Sequence, residues 1–333
     1  DSERRIVYAT TMPSQRQATV VISPAEAGRR LDAWLAHRFT YRSRRQWQAS
    51  VRAGEIHLNG HPAKVATLVQ PGDAIEYRMP DAAEPPVDVA MQTLYEDDTV
   101  LVITKSGDLP CHPAGRYFDN TLWSVLRQQF DNVHLVNRLD RETSGIVLIA
   151  KDAAAAGSLM SQFADHTVTK AYLALVYGAF PSQLDADGVL ITDAASEVRK
   201  KRAFVADPDA AGESARTTFT CLAATAGLSL IRAVPTTGRL HQIRATLCSL
   251  GFPLVGDKLY GPDDRMYLRC IADELTDADR TMLRMGRQAL HAYCLVFSHP
   301  VDGRKIQVTA PLPADLQQTM TTAGLQPGVE LQC

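Results

Sequence analysis

The chain has 333 residues, of which 45% are hydrophobic and 22% are charged. These values are ordinary for a globular protein and leave enough apolar residues for one large and one small domain. A formal net charge of −2 excludes a protein that is basic over its whole surface, although a local basic patch remains compatible with it. No run of 18 apolar residues occurs, so the sequence predicts no membrane span.

The cysteines and the N-terminal residues bear on the cellular compartment. The six cysteines are widely spaced and form no C-x-x-C pair, which argues against a zinc site or a disulfide framework and fits a reducing cytosol. The first 20 residues lack the apolar core of a signal peptide. We therefore expect a cytoplasmic protein in which residues 1–20 form a poorly ordered extension.

A small α/β module is predicted over residues 21–80. Apolar side chains at helical spacing follow Gly28, and Gly54 ends a second helix. Asn59-Gly60 then marks a turn between short strands. Eight basic and only two acidic residues lie from Gly28 to Lys64, and a solvated face is the ordinary explanation of such a run.

A larger domain follows an acidic linker. Six acidic residues and no Lys or Arg lie from Asp81 to Asp98, and Pro85-Pro86 within this stretch predicts a linker over residues 81–91. Beyond it, strand-like runs outnumber the predicted helices at 121–130 and 152–165, the second of which has Asp152 as its N-cap. The strand-like runs lie at 100–103, 146–150, 172–176, 228–234 and 306–308. The sequence therefore predicts an α+β domain over residues 92–315, with a mostly antiparallel mixed β-sheet flanked by helices and loops. Residues 316–333 are predicted to be a C-terminal tail.

Charged residues cluster directly before one of the apolar strands. The segment Asn137-Arg138-Leu139-Asp140-Arg141-Glu142-Thr143-Ser144-Gly145 precedes the strand-like run 146–150. Catalytic groups are often displayed on loops at the ends of rigid elements, which makes Asp140 a candidate. The simpler explanation is an ordinary loop in which Asp140 pairs with Arg138 or Arg141.

A second cluster contains Arg239 and Arg244, which are five residues apart, with His241 between them. Such a group can bind a phosphate or hold a carboxylate bidentately. A capped helix with surface arginines is the simpler explanation. Tyr172 lies in another apolar run, where a core tyrosine is the default interpretation.

Neither a metal site nor a nucleotide-cofactor site is predicted. His291 and His299 lack a third ligand at a suitable spacing. The glycine-containing turns that follow Arg244 match neither a P-loop nor a dinucleotide fingerprint.

Together and in this order, these segments resemble the RluA-type pseudouridine synthase family. The family's loop reads His-Arg-Leu-Asp-x-x-Thr-Ser-Gly before an apolar strand. The matching segments are Arg138 to Gly145, Lys170 with Tyr172, Thr237 to Arg244, Gly251 to Gly261, and Leu290 to Ala292 with Phe297, His299 and Pro300. The N-terminal module resembles the S-four (alpha-L) RNA-binding domain that is often fused to these synthases, at Arg30-Leu31-Asp32, Gly54-x-Ile56, Leu58-Asn59-Gly60 and Gly72-Asp73.

The resemblance implies an enzyme that isomerises uridine in structured RNA to pseudouridine without a cofactor or a metal. It makes Asp140 the carboxylate that attacks the anomeric carbon or removes the neighbouring 2′ proton, with Arg244 as its partner and Tyr172 stacked on the flipped base. Substrate binding is expected from Arg138, Arg239, His241 and Asn137. RNA binding by the N-terminal module is expected from Arg29, Arg42, Arg44, Arg45, Arg52 and Lys64.

Two departures from the family's pattern keep alternatives open. Asn137 stands where His is usual, and Thr246 stands where the third motif often carries His. The main alternative is a catalytically inactive RNA-binding or ribosome-assembly protein on the same fold, and a third hypothesis is an unrelated hydrolase. The resemblance makes large-subunit ribosomal RNA the expected partner and transfer RNA the second, and we expect a monomer.

Overall fold

The computed structural model describes residues 17–39, 44–78, 84–114, 117–198 and 200–326. These residues divide into two compact units. The small unit contains residues up to Pro86 together with Ala114 and residues 117–119, and the large unit contains residues 87–113 and 120–326. The boundary near Pro86 lies inside the predicted linker, whereas nothing in the sequence pattern pointed to the short segment that joins the small unit from residues 114–119.

The small unit contains a four-stranded sheet and two helices. Its elements are β1 (Gln17–Val21), α1 (Leu31–Arg38), α2 (Arg44–Arg52), β2 (Ile56–Leu58), β3 (His61–Pro62) and β4 (Ala74–Arg78). The strand order is β1-β4-β2-β3, and every pairing is antiparallel. Trp34 of α1 and Trp47 of α2 are almost fully buried in its core. Because β1 pairs with β4 from Gln17 onward, the predicted extension over residues 1–20 is too long by four residues.

The large unit is built on one extended sheet. Its strands are β5 (Met91–Glu96), β6 (Val100–Lys105), β7 (His134–Leu135), β8 (Ser144–Ala150), β9 (Thr169–Tyr177), β10 (Gln183–Thr192), β11 (Arg202–Val205), β12 (Glu213–Ala224), β13 (Leu228–Pro235), β14 (Leu290–Ser298) and β15 (Lys305–Thr309). Its helices are α3 (Leu122–Leu126), α4 (Ala153–Ala164), α5 (Gln242–Ser249), α6 (Arg265–Ile271), α7 (Asp277–Leu283) and α8 (Ala314–Thr322).

The sheet of the large unit is mixed but mostly antiparallel. The main strand order is β11-β10-β12-β13-β9-β14-β8-β6-β5, with β15 on β14 and β7 on β8. Among the described strands, only β14 and β8 pair in parallel. This architecture confirms the predicted α+β class.

Apolar faces of the helices pack on the sheet and fix the elements that carry the site. Ala155, Ala156 and Leu159 of α4 pack against β8, whose seven residues are all buried. Asp152 caps α4, as predicted, by accepting from the backbone N–H of Ala155. Ile243, Ala245 and Leu247 bury the apolar side of α5 in a cluster with residues of β9, β12 and β13.

Two boundaries of the large domain differ from the sequence-based expectation. Helix α3 spans Leu122–Leu126 and is shorter than the predicted helix at 121–130. Residues 316–326 do not form a tail, because Leu316, Met320 and Leu325 are buried in a core cluster with Leu175 and Leu230.

Most of the described cysteines are free. Cys111, Cys221, Cys248 and Cys270 are free, whereas Cys294 is disulfide-bonded, which the spacing of the cysteines did not predict. Among the described residues, no group of three or more His, Cys, Asp or Glu side chains could hold a metal ion. None of the described helices combines the length and the apolar character needed to cross a membrane.

Candidate active site

A glycine at the start of β8 sets the path of the loop that carries Asp140. Gly145 has a φ of +114°, and a Cβ atom there would lie 2.3 Å from the carbonyl oxygen of Ala292. This close approach results from the parallel pairing of β8 with β14, in which Ser144 and Gly145 face His291 and Ala292. The backbone of β14 therefore fixes where β8 begins and where the preceding loop ends.

Asn137 supports the loop rather than the pocket. Its Nδ2 donates to the carbonyl oxygen of Ile146 at 3.2 Å, and its Oδ1 accepts from the backbone N–H of Leu148 at 2.7 Å. These bonds extend the antiparallel pairing of β7 with β8, and Asn137 does not line the pocket described below. Both ends of its amide are bound to β8, so this geometry lends no support to the expectation that Asn137 binds the substrate.

Asp140 is paired with an arginine that lies 104 residues further along the chain. Nη1 of Arg244 donates to Oδ2 of Asp140 at 2.6 Å, while its Nε and Nη2 donate to the two oxygens of Asp257 at 2.7 and 2.9 Å. The side chain of Asp257 is fully buried and also accepts from the backbone N–H groups of Leu259 and Tyr260. Asp257 thus fixes the plane of the guanidinium and leaves Nη1 for Asp140.

This pairing overturns both simpler explanations of the sequence. Arg141 donates to Asp108 and Glu142 rather than to Asp140. Arg244 is buried on α5, so it is not a surface arginine of a capped helix.

The charge of Asp140 is set by two opposing effects. Burial raises the pKa of this carboxyl group, but the positive charge and hydrogen bond of Arg244 outweigh it, so the pKa lies below its usual range. In Asp257, too, burial raises the pKa and Arg244 more than offsets this, so its pKa is also lowered. Both carboxyl groups are therefore ionised at neutral pH.

Asp140 opens into a pocket of about 490 Å³, mouth included. The side chain of Asp140 is 28% exposed, so it is accessible from the pocket. The pocket brings together six of the predicted site residues, namely Arg138, Asp140, Tyr172, Arg239, His241 and Arg244.

Tyr172 projects from β9 into the wall of this pocket. Burial raises the pKa of its hydroxyl group to about 12, and the negative charge of Asp140 acts in the same direction. The phenol is therefore protonated at neutral pH. Arg138 and Arg239 are exposed at the same pocket, and Nε of Arg239 donates to the carbonyl oxygen of Ser214 at 3.1 Å.

His241 connects the pocket to a buried tyrosine. Its Nδ1 lies 3.0 Å from the hydroxyl oxygen of Tyr260, and its Nε2 lies 3.9 Å from Oδ2 of Asp140. Burial lowers the pKa of His241 to about 4, with the charge of Arg244 acting in the same direction and that of Asp140 opposing it. The imidazole is therefore neutral at neutral pH.

Sequence reasoning missed several residues that support the site. Asp257 and Tyr260 lie in a segment that carries the family resemblance, which was a usable signal for both. Lys170 donates to the carbonyl oxygen of Thr237 at 3.2 Å. Lys105 is almost fully buried and donates to the carbonyl oxygen of Arg141, the residue after Asp140.

The small unit presents the predicted basic surface. Arg29, Arg44, Arg45, Arg52 and Lys64 are all exposed, whereas Arg42 lies outside the described residues. The buried side chain of Asp32 orients this region by accepting from Nε of Arg44 at 2.9 Å. The same residue donates its backbone N–H to Val65, next to Lys64. Asp32 therefore ties the start of α1 to the start of α2 and to the segment that carries Lys64.

Two family models match the chain. The RNA pseudouridylate synthase model matches residues 99–249, which include the loop of Asp140, Tyr172 and Arg244. The S4 domain model (the S-four domain above) matches residues 29–75 of the small unit. A solved structure titled human RNA pseudouridylate synthase domain containing 1 is 26% identical with a TM-score of 0.53, and the match covers 74% of this chain and all of that one.

Full-length relatives lead to the same family. The ribosomal large subunit pseudouridine synthase D of Xanthomonas campestris pv. campestris is 34% identical over 318 residues, which are 92% of each chain. The protein of the same name from Neisseria meningitidis serogroup A is 30% identical over 97% of this chain and 86% of its own. The shared fold and this identity together show that the chain belongs to the RNA pseudouridylate synthase family.

Proposed function

We propose that this protein converts one or more uridines of large-subunit ribosomal RNA to pseudouridine, with Asp140 as the reacting carboxylate. The observation that carries the proposal is the ion pair between Asp140 and Arg244 at the base of an open pocket. Two relatives of nearly the same length are named ribosomal large subunit pseudouridine synthase D, which supports this class of RNA over transfer RNA.

The reaction requires an ionised carboxylate beside the ribose. The bond between the anomeric carbon and N1 of uracil breaks, the uracil rotates, and its C5 joins the anomeric carbon. Asp140 acts either by attacking the anomeric carbon or by removing the 2′ proton. Arg244 supports both routes, because it keeps the carboxylate ionised in a partly dry pocket and holds it in one orientation.

The uridine must leave its base stack to reach Asp140. Flipping a nucleotide costs a few kcal/mol, which contacts inside the pocket and along the backbone offset. Tyr172 offers an aromatic ring to the flipped base, and Arg138 and Arg239 are exposed cations beside the pocket that can contact the flanking phosphates. The exposed basic residues of the small unit add a contact to RNA that does not depend on sequence.

The proposal extends to assembly and location. The proposed active species is a monomer. Large-subunit ribosomal RNA as the substrate supports action in the cytoplasm.

A tritium-release experiment tests the proposed function. Ribosomal RNA is prepared with tritium at C5 of uracil, and the label enters water when C5 joins the ribose. We expect release by the wild type and a fall of about a thousandfold or more in Asp140→Asn, because the variant lacks the reacting carboxylate. RNA affinity should stay within about threefold, since the substitution preserves the shape of the pocket.

Asp131→Asn is the matched control, because Asp131 is exposed and away from the pocket. This variant should release tritium at the wild-type rate. A wild-type protein that binds ribosomal RNA without releasing tritium would refute the proposal, and so would an Asp140→Asn variant with ordinary turnover.

A further inference from the structure

The hydroxyl group of Tyr260 has one hydrogen and two recorded neighbours. The backbone N–H of Arg202 donates to its oxygen at 2.9 Å, so this neighbour cannot accept the phenolic hydrogen. The other neighbour is Nδ1 of His241 at 3.0 Å. Tyr260 is 1% exposed, and a buried hydroxyl group that donates to nothing would be costly. The phenolic hydrogen therefore points to Nδ1, which acts as the acceptor.

This arrangement determines which nitrogen of His241 carries its proton. A neutral imidazole has one N–H group and one acceptor nitrogen. Because Nδ1 accepts from Tyr260, the hydrogen lies on Nε2, which is 3.9 Å from Oδ2 of Asp140. That distance is too long for a direct hydrogen bond, so Nε2–H has no partner on Asp140. His241 lines the pocket, and this N–H group is available to a bound nucleoside.

We propose that Nε2–H of His241 donates a hydrogen bond to the uracil carbonyl oxygen beside the glycosidic bond, and that Tyr260 is the positioning residue that fixes this donor. The proposal rests on the proposed function and names a contact within the same pocket. In a nucleoside whose anomeric carbon lies against Oδ2 of Asp140, that carbon is bonded to N1 of the uracil. The ring atom next to N1 is C2, and C2 carries the O2 oxygen. The donor next to Asp140 is therefore suitably placed for that oxygen.

The contact strengthens as the reaction proceeds. When the bond from the anomeric carbon to N1 breaks, the electron pair stays on the uracil, and the charge spreads onto its carbonyl oxygens. A fixed N–H donor stabilises this charge more than it stabilises the uncharged base, which lowers the barrier. No proton is transferred to the uracil in this step. The low pKa of His241 is consistent with such a neutral donor.

Tyr260 is itself held by the groups that orient Arg244. Its backbone N–H donates to Oδ1 of Asp257, and the guanidinium of Arg244 lies 5.0 Å from the centre of its ring. The rings of His241 and Tyr260 meet edge to face at 5.5 Å. The cluster of Asp257, Arg244 and Tyr260 thus orients both the carboxylate of Asp140 and the N–H donor of His241.

Three variants separate the donor from a merely structural role. His241→Leu should lower the single-turnover rate of tritium release by about a hundredfold, which is usual for the loss of one preorganised donor. His241→Gln keeps an N–H group on a side chain of similar reach and should recover at least about tenfold of that loss. Tyr260→Phe should lower the rate by about tenfold, since the imidazole remains but its proton is no longer fixed. RNA affinity should stay within about threefold in all three.

Tyr177→Phe is the matched control for Tyr260→Phe. Like Tyr260, Tyr177 belongs to the large unit and uses its hydroxyl group as a hydrogen-bond donor. Its acceptors are backbone carbonyl groups, and it does not contact His241. Its removal should leave the rate within about twofold of the wild type. If both tyrosine variants lose activity equally, the effect is one of stability and the proposal fails.

Nitrogen-15 spectra of the free protein give a readout that does not depend on activity. With histidine labelled in the ring, Nε2 of His241 should carry the hydrogen in the wild type and lose this preference in Tyr260→Phe. A hydrogen on Nδ1 in the wild type would overturn the proposal even if the enzyme is active, as would a His241→Leu rate within about threefold of the wild type. Absence of tritium release by the wild type would instead refute the proposed function, and the spectrum would still report on the donor.

Discussion

Asp140, Tyr172 and His241 meet in one pocket, and their surroundings drive their pKa values apart. Arg244 lowers the pKa of Asp140, whereas burial lowers that of His241 to about 4 and raises that of Tyr172 to about 12. Each group thus has one protonation state near neutral pH. Asp140 is ionised, as the proposed base or nucleophile must be, and the other two side chains keep neutral rings.

The pH dependence of the chemical step follows from these values. The pKa of Asp140 lies below the ordinary value of 3.8. We therefore expect full activity above this lowered pKa and a loss of activity only as the pH falls through it. Tyr172 and His241 do not titrate between pH 5.5 and 7.5, because their pKa values of about 12 and 4 lie outside this interval. We expect the single-turnover rate of tritium release to change less than about twofold across this interval. A rate that rises tenfold per pH unit there would show that Asp140 is protonated in the resting site.

The sequence predicted the residues that line the pocket better than the residues that hold them in place. Asp140, Tyr172 and Arg244 could be named because they lie in ordered motifs. The bidentate hold of Asp257 on Arg244 could not be derived from spacing, since it depends on how α5 packs. The hydrogen bonds of Asn137 to β8 could not be foreseen either, because a motif position does not reveal whether a side chain faces the pocket or the neighbouring strand.

At the scale of elements, one glycine decides whether β8 and the loop before it can form. The backbone of Gly145 adopts a positive φ, and Ala292 leaves no room for a side chain. We expect Gly145→Ala to lower the free energy of unfolding by about 2–4 kcal/mol and to reduce activity by more than tenfold, because the strain and the clash displace the loop. Chemical denaturation and tritium release measure the two effects.

Gly157→Ala is the control for this substitution. Gly157 lies inside α4, and nothing lies within 4 Å of an added Cβ atom. The same change should raise the free energy of unfolding there by about 0.5–1 kcal/mol, because alanine favours a helix. Equal effects at both positions would contradict the argument from backbone conformation.

The strands with continuous apolar runs were the predictable elements. β6, β8, β9 and β13 lie where their sequences placed them, because each is mostly buried. The long strands β10 and β12 alternate between buried and exposed positions along much of their length and contain many polar residues, so they were missed. The role of α8 was missed because its few apolar residues are spread among polar ones.

At the scale of the whole molecule, the small net charge hides an uneven distribution of basic residues between the two units. The small unit carries exposed cations, although the chain as a whole is slightly acidic. We expect the triple variant Arg45→Gln, Arg52→Gln and Lys64→Gln to reduce the slope of log affinity against log salt by about 2, since each phosphate contact contributes roughly 0.7–0.9. The turnover rate at saturating RNA should stay within about twofold.

A triple variant of equal charge in the large unit provides the control. Arg127→Gln, Arg280→Gln and Lys305→Gln replace exposed cations that do not line the pocket of Asp140. Its salt slope should remain close to that of the wild type. If the two triple variants change the slope equally, the small unit has no special share in binding RNA.

The parallel pairing of β8 with β14 also has a consequence for biosynthesis. Ser144 and His291, which meet in this pairing, are separated by 147 residues of chain. At roughly 5–20 residues per second, a ribosome needs on the order of 10–30 s to pass from one to the other. Throughout that interval the nascent polypeptide carries its reactive carboxylate without the strand that seats it. The loop of Asp140 can therefore take its final position only after β14 has been synthesised.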